Sequence, residues 1–325
     1  MINARDLPIK KILIGLVLFF ALIFPILFGA QLYYLTVLIL ILIFIIYSSA
    51  WNFLTFSGQG SLGHAAFFGL GGYFCSLLVM KAGIPPLLTL PIGGLFTGVI
   101  GVLIGLTCVR LREWFLAMVT FGFAIIIQTL IVSQLAPITN GWDGFGVTKL
   151  VPSDFPNSLL IEYYLIFAIS VITLLLFRYL LKSKIGLTLA AIRENELEAK
   201  ASGINPIPFK LFSFGVSAFF AGVAGALEIF HFGYITPEIF GVDISFWPII
   251  YTITGGLGTL AGPVIGTIVI SLLWEGLNSF GLTYMRFVII GILLILTIIF
   301  LPGGLVSIGG KLSKYWNKSP DSDKK

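Results

Sequence analysis

Apolar segments about as long as a bilayer is thick recur along this 325-residue chain. A helix that crosses the hydrocarbon core needs about 20 mostly apolar residues. The candidates span residues 12–30, 32–55, 63–80, 87–109, 114–133, 160–181, 211–231, 246–273 and 284–301. Charged residues make up only 10% of the chain, against about 25% in a soluble domain. The sequence therefore predicts an all-α polytopic membrane protein, a bundle of about 8–10 transmembrane helices.

The first candidate, residues 12–30, follows three basic residues and has the general form of a signal peptide. Its apolar run is about 19 residues long, which exceeds the usual 7–15 residues of a signal-peptide core. Leu27–Ala30 is also a poor cleavage context. We therefore expect this segment to remain in the protein as a membrane helix.

Basic residues predict the orientation, because cytoplasmic loops of membrane proteins carry an excess of Lys and Arg. The basic N-terminus and the basic loop 182–210 are expected in the cytoplasm, and the acidic stretches 134–162 and 228–243 outside. If 246–273 crossed once as one helix, the Lys-rich tail 311–325 would also lie outside. The breakers in Thr254–Pro263 instead predict a divided segment, an even number of crossings and both termini in the cytoplasm.

Two glycine-rich segments interrupt the apolar pattern, one in each half of the chain. Residues 57–63 contain GQGSLG, and residues 254–263 contain GLGTLAG. Broken helices at membrane depth are tolerated where they are buried in protein or line a water-filled cavity, and paired interruptions are typical of transport pathways. The alternatives are that the glycines only allow helices to pack closely, and that the two segments resemble each other by chance.

We expect polar and glycine residues of both segments to line a path for a solute. A histidine inside a membrane segment either contacts such a solute or bonds to a neighbouring helix, and both readings stay open for His64. The predicted pathway residues are Asn52, Gly58, Gln59, Gly60, Ser61, His64, Gly256, Gly258 and Thr259.

The cytoplasmic segment 182–210 predicts a short, charged and partly amphipathic helix. Apolar positions such as Leu187 and Leu197 alternate with charged ones, and Gly203 and Pro206 end the pattern. Such a helix between two membrane helices suits docking into a groove of a soluble partner. The alternative is a helix that lies on the lipid headgroups.

Several functions are excluded or disfavoured by what the sequence lacks. It has no P-loop motif for ATP, no paired metal-binding motif and no nucleophile elbow. Cys75 and Cys108 lie in apolar segments and are expected to be buried free thiols. Acidic residues in membrane segments are scarce, with Glu228 and Glu275 near helix ends, which argues against an ion-coupled carrier. We expect no catalytic residues, cofactor, metal or nucleic-acid partner.

The residues of the first glycine-rich segment and its flanks resemble a known family. Ala50–Tyr73, AWNFLTFSGQGSLGHAAFFGLGGY, is similar to the signature of LivM/LivH-type permeases, the membrane subunits of branched-chain amino acid ABC importers. Three further stretches match that family in the same order: Ala191–Ile204, Ala218–Leu227 and Thr254–Gly266. LPGGLV at Leu301–Val306 resembles the terminal motif, with a glycine where an arginine is common. The likeness runs from about Leu32 to Val306, and the length and the outer loop TNGWDGFGV are more similar to LivM than to LivH.

The resemblance implies a coupling helix in Lys184–Pro206 that inserts into a cytoplasmic ATPase subunit. Glu198 and Ala199 match the Glu-Ala-Ala…Gly loop of importer permeases, whereas Lys200 replaces the second alanine and the glycine comes one residue early. The implied coupling residues are Arg193, Glu194, Glu198, Gly203, Asn205 and Pro206. Residues 1–310 would form the membrane domain, including the loop 182–210, and residues 311–325 a cytoplasmic tail.

The resemblance also implies partners in the cytoplasmic (inner) membrane and on both of its sides. They are a second, LivH-like permease that completes the pore, two ABC ATPase subunits, and an extracytoplasmic binding protein that docks near 140–146 and 233–243. Leucine, isoleucine and valine are the expected substrates, although similar permeases move urea, short amides or other amino acids. A different class of function is an ATP-independent channel or facilitator. A purely structural scaffold would leave the broken segments and the charged loop without a role.

Overall fold

The computed structural model describes residues 32–111 and 113–307, together with Leu22 and Pro25. Its helices in chain order are α1 Leu32–Thr55, α2 His64–Ala82, α3 Pro86–Cys108, α4 Glu113–Val132, α5 Ala136–Thr139, α6 Ser158–Lys182, α7 Lys184–Glu194, α8 Glu196–Ala201, α9 Pro206–Phe232, α10 Val242–Gly255, α11 Gly262–Ser279 and α12 Arg286–Phe300. Six of them, α1–α4, α6 and α9, are long and apolar enough to cross a membrane. The protein is therefore an all-α polytopic membrane protein, as the sequence predicts.

The six long helices coincide with predicted segments to within a few residues at most ends. The start of α9 differs, because the helix begins at Pro206 and not at 211. Proline fits the first position of a helix, and the Asn205 side chain caps the helix by accepting a hydrogen bond from the Ile207 amide at 3.1 Å. The predicted first helix 12–30 lies outside the described residues, apart from Leu22 and Pro25, as does the predicted tail 311–325.

The predicted segment 246–273 is divided, which confirms that it does not cross as one helix. Helices α10 and α11 have 14 and 18 residues, fewer than the roughly 20 of a full crossing, and they pack against each other. Glycines set their closest contacts: a Cβ on Gly255 would lie 1.8 Å from the carbonyl oxygen of Gly262, and one on Gly266 would lie 1.8 Å from that of Tyr251. Larger residues would force the two helices apart.

Aromatic side chains hold the short helices α10, α11 and α12 together. The Trp247 ring of α10 meets the Trp274 ring of α11 edge to face, with centroids 4.9 Å apart. On α12, the guanidinium carbon of Arg286 lies 3.8 Å from the Trp274 ring centroid, within the range of a favourable cation–π contact. The predicted last segment, 284–301, thus becomes α12 and closes against the α10–α11 pair.

Helix α9 is the centre of the bundle, because it packs on α1, α2 and α3. Small residues allow this close approach. A Cβ on Gly71 would lie 2.2 Å from the carbonyl oxygen of Gly222, and one on Gly225 would lie 1.9 Å from that of Phe68. Small residues at these positions therefore let α9 pack closely on its neighbours.

The two ends of the bundle differ in structure. At the first, which we call the ribbon end, β1 Phe145–Gly146 pairs antiparallel with β2 Tyr234–Ile235. This pairing confirms that the predicted outer stretches 134–162 and 228–243 lie on the same side. Helix α6, about 37 Å long at 1.5 Å per residue, separates the ribbon from α7 and α8, which mark the opposite α7–α8 end. Which end faces the cytoplasm stays a prediction from charge.

Candidate functional site

The first glycine-broken segment, residues 57–63, folds back into the bundle after α1 ends at Thr55. The indole nitrogen of Trp51 donates a hydrogen bond to the Ser61 carbonyl at 2.8 Å, so the chain returns beside the last turns of α1 before α2 begins at His64. On its other side, a Cβ on Gly63 would lie 1.9 Å from the carbonyl oxygen of Thr120 in α4. The segment is therefore clamped between α1 and α4.

Polar side chains of this segment are buried and bonded to one another. Ser57 donates to the Gln59 amide oxygen at 3.0 Å, and Ser213 of α9 donates to the Ser57 hydroxyl at 2.9 Å. The Ser61 hydroxyl accepts from the amide of Gly63 at 3.1 Å. The segment is thus a satisfied polar layer inside an apolar bundle.

His64 is fully buried at the start of α2, and its Nε2 lies 2.7 Å from the Ser217 hydroxyl. That hydroxyl donates to the Ala50 carbonyl at 2.6 Å; it therefore accepts from the imidazole, whose Nε2 carries the proton. Within the described part of the chain, Nδ1 has no partner. The geometry supports the reading in which His64 bonds a neighbouring helix; contact with a solute stays a prediction.

The second glycine-broken segment, residues 254–263, is bonded directly to α1 by Asn52. The side-chain nitrogen of Asn52 donates to the Thr259 carbonyl at 2.8 Å, and its oxygen accepts from the Gly258 amide at 3.0 Å. Gly256 and Gly258 have φ of 135° and 71°, in the region that favours glycine. The Thr259 hydroxyl bonds the Gly256 carbonyl at 2.8 Å and the Gly262 amide at 3.0 Å, which fixes the start of α11.

The terminal motif, Leu301–Val306, packs against the other side of the second glycine-broken segment. The Leu305 amide donates to the Thr254 carbonyl at 2.9 Å, and a Cβ on Gly304 would lie 2.4 Å from the Gly256 backbone. The chain after α12 therefore reaches the second glycine-broken segment.

Arg193, near the end of α7, lies against both glycine-broken segments. A Cβ on Gly58 would lie 3.5 Å from the Arg193 Cα, and one on Gly258 would lie 2.6 Å from its Nη1. The guanidinium carbon is also 5.7 Å from the ring centroid of Phe56. The structure thus brings together both predicted halves of a pathway and one residue of the predicted coupling loop.

A pocket of about 820 Å³ opens beside this junction. Residues of the first glycine-broken segment, of the α3–α4 connection, of α7 and α8, and of the start of α9 form its walls. Its charged lining residues are Arg110, Arg193, Lys200, Lys210, Glu194 and Glu196. The pocket gives Gly58 and Gln59 a polar route to the α7–α8 end.

The predicted coupling helix is two helices, because Asn195 interrupts it. The Asn195 side-chain oxygen accepts from the amides of Leu197 and Glu198 at 3.0 and 3.3 Å, which caps α8. The expectation of one short helix within 182–210 is therefore wrong. Leu187 and Leu197 are 71% and 76% exposed, so each of the two helices presents an apolar side chain to the surroundings.

One ion pair holds α8 to the start of α9, and a second lies within α8. Glu196 lies 2.6 Å from the Lys210 ammonium and 2.9 Å from that of Lys200. Hydrogen bonds from Lys210 and then Lys200 hold the pKa of Glu196 below its ordinary value. The other implied coupling residues divide by place: Glu194 and Glu198 are exposed, Gly203 has a φ of 83° after α8, and Asn205 and Pro206 form the start of α9.

One buried pair of polar side chains was not predicted from the sequence. Nδ1 of His231, in the last turn of α9, lies 3.0 Å from the Glu162 carboxylate near the start of α6, and both side chains are 4% exposed. Such a pair at the ribbon end ties two helices together below the strands. The available signal was weak: an acid and a histidine, each at the mouth of an apolar segment.

Comparisons with known proteins show which family the chain resembles. A family model described as the branched-chain amino acid transport system permease component matches residues 33–298. LivM, a high-affinity branched-chain amino acid transport permease protein, is 29% identical over 274 residues in Escherichia coli K12 and 28% in Salmonella typhimurium LT2. Each alignment covers 77% of this chain and 64% of the relative, so the chain spans less than two thirds of those proteins. A probable LivM of Methanocaldococcus jannaschii is 23% identical over 44% of this chain and 45% of its own length. No solved structure matches the chain.

Proposed function

Because the chain belongs to the branched-chain amino acid transport permease family, we propose that it is the LivM-like transmembrane subunit of an ATP-driven importer. It is a multi-pass protein of the inner membrane. The observation that carries the proposal is the pair of hydrogen bonds by which Asn52, in the last turn of α1 before the first glycine-broken segment, binds the second segment, next to a polar pocket at the α7–α8 end. Paired interruptions of this kind mark solute paths in transporters.

In this proposal the chain performs no covalent chemistry. Two cytoplasmic ABC ATPase subunits dock on α7 and α8, and their closure on ATP shifts the bundle between inward-open and outward-open populations. A second, LivH-like permease completes the pore. Solute passes between the two glycine-broken segments and leaves through the pocket beside them.

An extracytoplasmic binding protein delivers the substrate at the ribbon end. The surface offered there is built from two loops that the β strands join, and it carries the exposed Trp142 and Tyr234. Exposed aromatic residues are frequent anchors in protein interfaces. Since the binding protein selects the substrate, the permease itself needs no tight site.

The coupling assignment is tested by recovery of the ATPase with the tagged permease. Gly203→Leu places a side chain at a φ of 83°, and Glu198→Lys reverses an exposed charge beside the Asn195 cap. Both variants should insert into the membrane and lose the copurifying ATPase, whereas Thr36→Val, at the other end of α1, should keep it. Full recovery with both variants would remove the coupling role of α7 and α8.

The substrate is tested by uptake of labelled leucine in cells with and without the chain. Leucine uptake that depends on the chain and is reduced by isoleucine and valine, but not by urea, supports a branched-chain amino acid importer. Leucine uptake that ignores the chain contradicts that substrate and moves the search to urea, short amides and other amino acids.

A further inference from the structure

Arg193 is exposed to the pocket, yet it also makes contacts within the bundle that docking on an ATPase does not explain. Its side chain does not simply extend from α7 toward a partner: Nη1 would be 2.6 Å from a Cβ on Gly258, and the guanidinium lies over the Phe56 ring at 5.7 Å. Among the described residues, no acidic side chain forms an ion pair with it. Its head group is therefore directed toward the permease itself.

The local backbone is adapted to this contact on both sides. Gly58 has a φ of 75° and faces the α7 backbone, and Gly258 has a φ of 71° and faces the guanidinium. A side chain at either position would be strained, and one at Gly258 would displace the guanidinium. Gly60 provides the contrast, because a Cβ there meets no atom within 4 Å.

A cation suits this place for an electrostatic reason. Each glycine-broken segment follows the carboxyl end of a helix, α1 at Thr55 and α10 at Gly255. Carboxyl ends of helices carry partial negative charge from unsatisfied carbonyls and favour cations nearby. A guanidinium is also weakly hydrated and packs well on aromatic rings, so Phe56 adds a second attraction.

We propose that Arg193 is the positioning residue through which α7 acts on both glycine-broken segments. In the state described here it holds the ends of α1 and α10 together at the α7–α8 end. Displacement of α7 withdraws the guanidinium from between Gly58 and Gly258, and the path between the two segments opens. This inference rests on the proposed function, because it takes the displacement of α7 from a docked ATPase.

The decisive comparison is between Arg193→Ala and Arg178→Ala in the importer with all its partner subunits. Arg178 is an exposed cation near the α7–α8 end of α6 and does not line the pocket, whereas Arg193 makes the close contacts with Gly58 and Gly258. Arg193→Ala should keep the copurifying ATPase and lower ATP-driven uptake about fivefold, the effect of losing one cation–aromatic contact. Arg193→Lys keeps the charge and should recover part of this loss, and Arg178→Ala should match the unsubstituted chain.

A second readout follows the glycine-broken segment itself. Gly60→Cys places a thiol in open space beside Gln59, and its labelling rate with a maleimide is compared with and without ATP and vanadate. With Arg193 present the rate should depend on nucleotide. With Arg193→Ala it should be the same in both conditions.

Three results would overturn the inference. Loss of the ATPase from Arg193→Ala would make Arg193 a docking residue, and uptake and labelling equal to those of the unsubstituted chain would leave it without a role in positioning. Nucleotide-independent labelling in the unsubstituted chain would contradict motion of the segment. If no ATPase binds the unsubstituted chain, the proposed function fails first, and the same measurement shows it.

Discussion

The hydrogen bonds of Asn52 are the most direct test of the contact between α1 and the second glycine-broken segment. Asn52→Ala removes the bond to the Thr259 carbonyl at 2.8 Å and the bond from the Gly258 amide at 3.0 Å. At about 1 kcal/mol net for each bond, local opening of residues 257–260 becomes easier by about 2 kcal/mol. Since 1.36 kcal/mol is a factor of ten, amide exchange of this segment should accelerate about 30-fold.

The measurement is hydrogen exchange with mass spectrometry on the purified chain in lipid nanodiscs. Amide exchange reports local opening in the native state, so the peptide that covers 257–260 should change most. Thr36→Val is the control, because among the described residues the Thr36 hydroxyl bonds only to the Leu32 carbonyl of α1, at 3.1 Å. Its exchange at 257–260 should equal that of the unsubstituted chain. Unchanged exchange in Asn52→Ala would refute the contact.

Three further substitutions test other parts of the account. Gly258→Ala, at a φ of 71°, should destabilise the protein by about 1–2 kcal/mol, seen as a lower Tm in nanodiscs, whereas Gly60→Ala should leave Tm unchanged; equal Tm values would contradict the strain. His231→Ala leaves Glu162 buried without its partner and should lower the free energy of unfolding by about 3 kcal/mol. If His231→Ala costs as much in a chain that already carries Glu162→Gln, the two residues are not coupled. Glu196, whose pKa is lowered from 4.5, stabilises the native state above pH 4.5 and loses this effect as the pH falls below it; Glu196→Gln should therefore flatten the fall of Tm in acid, and an unaltered pH profile would contradict the ion pairs.

Local sequence patterns predicted the helices well because membrane helices are set by length and apolarity. The division of 246–273 followed from its run of glycines, and the structure places that division at residues 256–261. The break at Asn195 was missed, although Asn195 and Glu198 have the spacing of a capping box. The start of α9 at Pro206 was also missed. The apolar run that predicted this helix begins at about residue 211, later than the start signal Asn205–Pro206.

The meeting of distant residues lay beyond local patterns. The similarity of the two glycine-rich segments marked both as interruptions, but it did not indicate that Asn52, in α1 just before the first segment, bonds to the second across 207 positions of the chain. Arg193 was expected to face the ATPase, and only the packing of its guanidinium against Gly258 shows that it also contacts the permease itself. The bonding of the buried Ser57 and Gln59 side chains likewise involves α9, which supplies Ser213.

The central claim is that this permease moves solute only when partner ATPases act on it. We would test it in proteoliposomes that contain the chain, a LivH-like permease and the ATPase subunits, with the binding protein and labelled leucine outside. The account predicts uptake that requires both ATP and the binding protein and that isoleucine and valine suppress. Uptake at the same rate without ATP would contradict it and identify the chain as part of a channel.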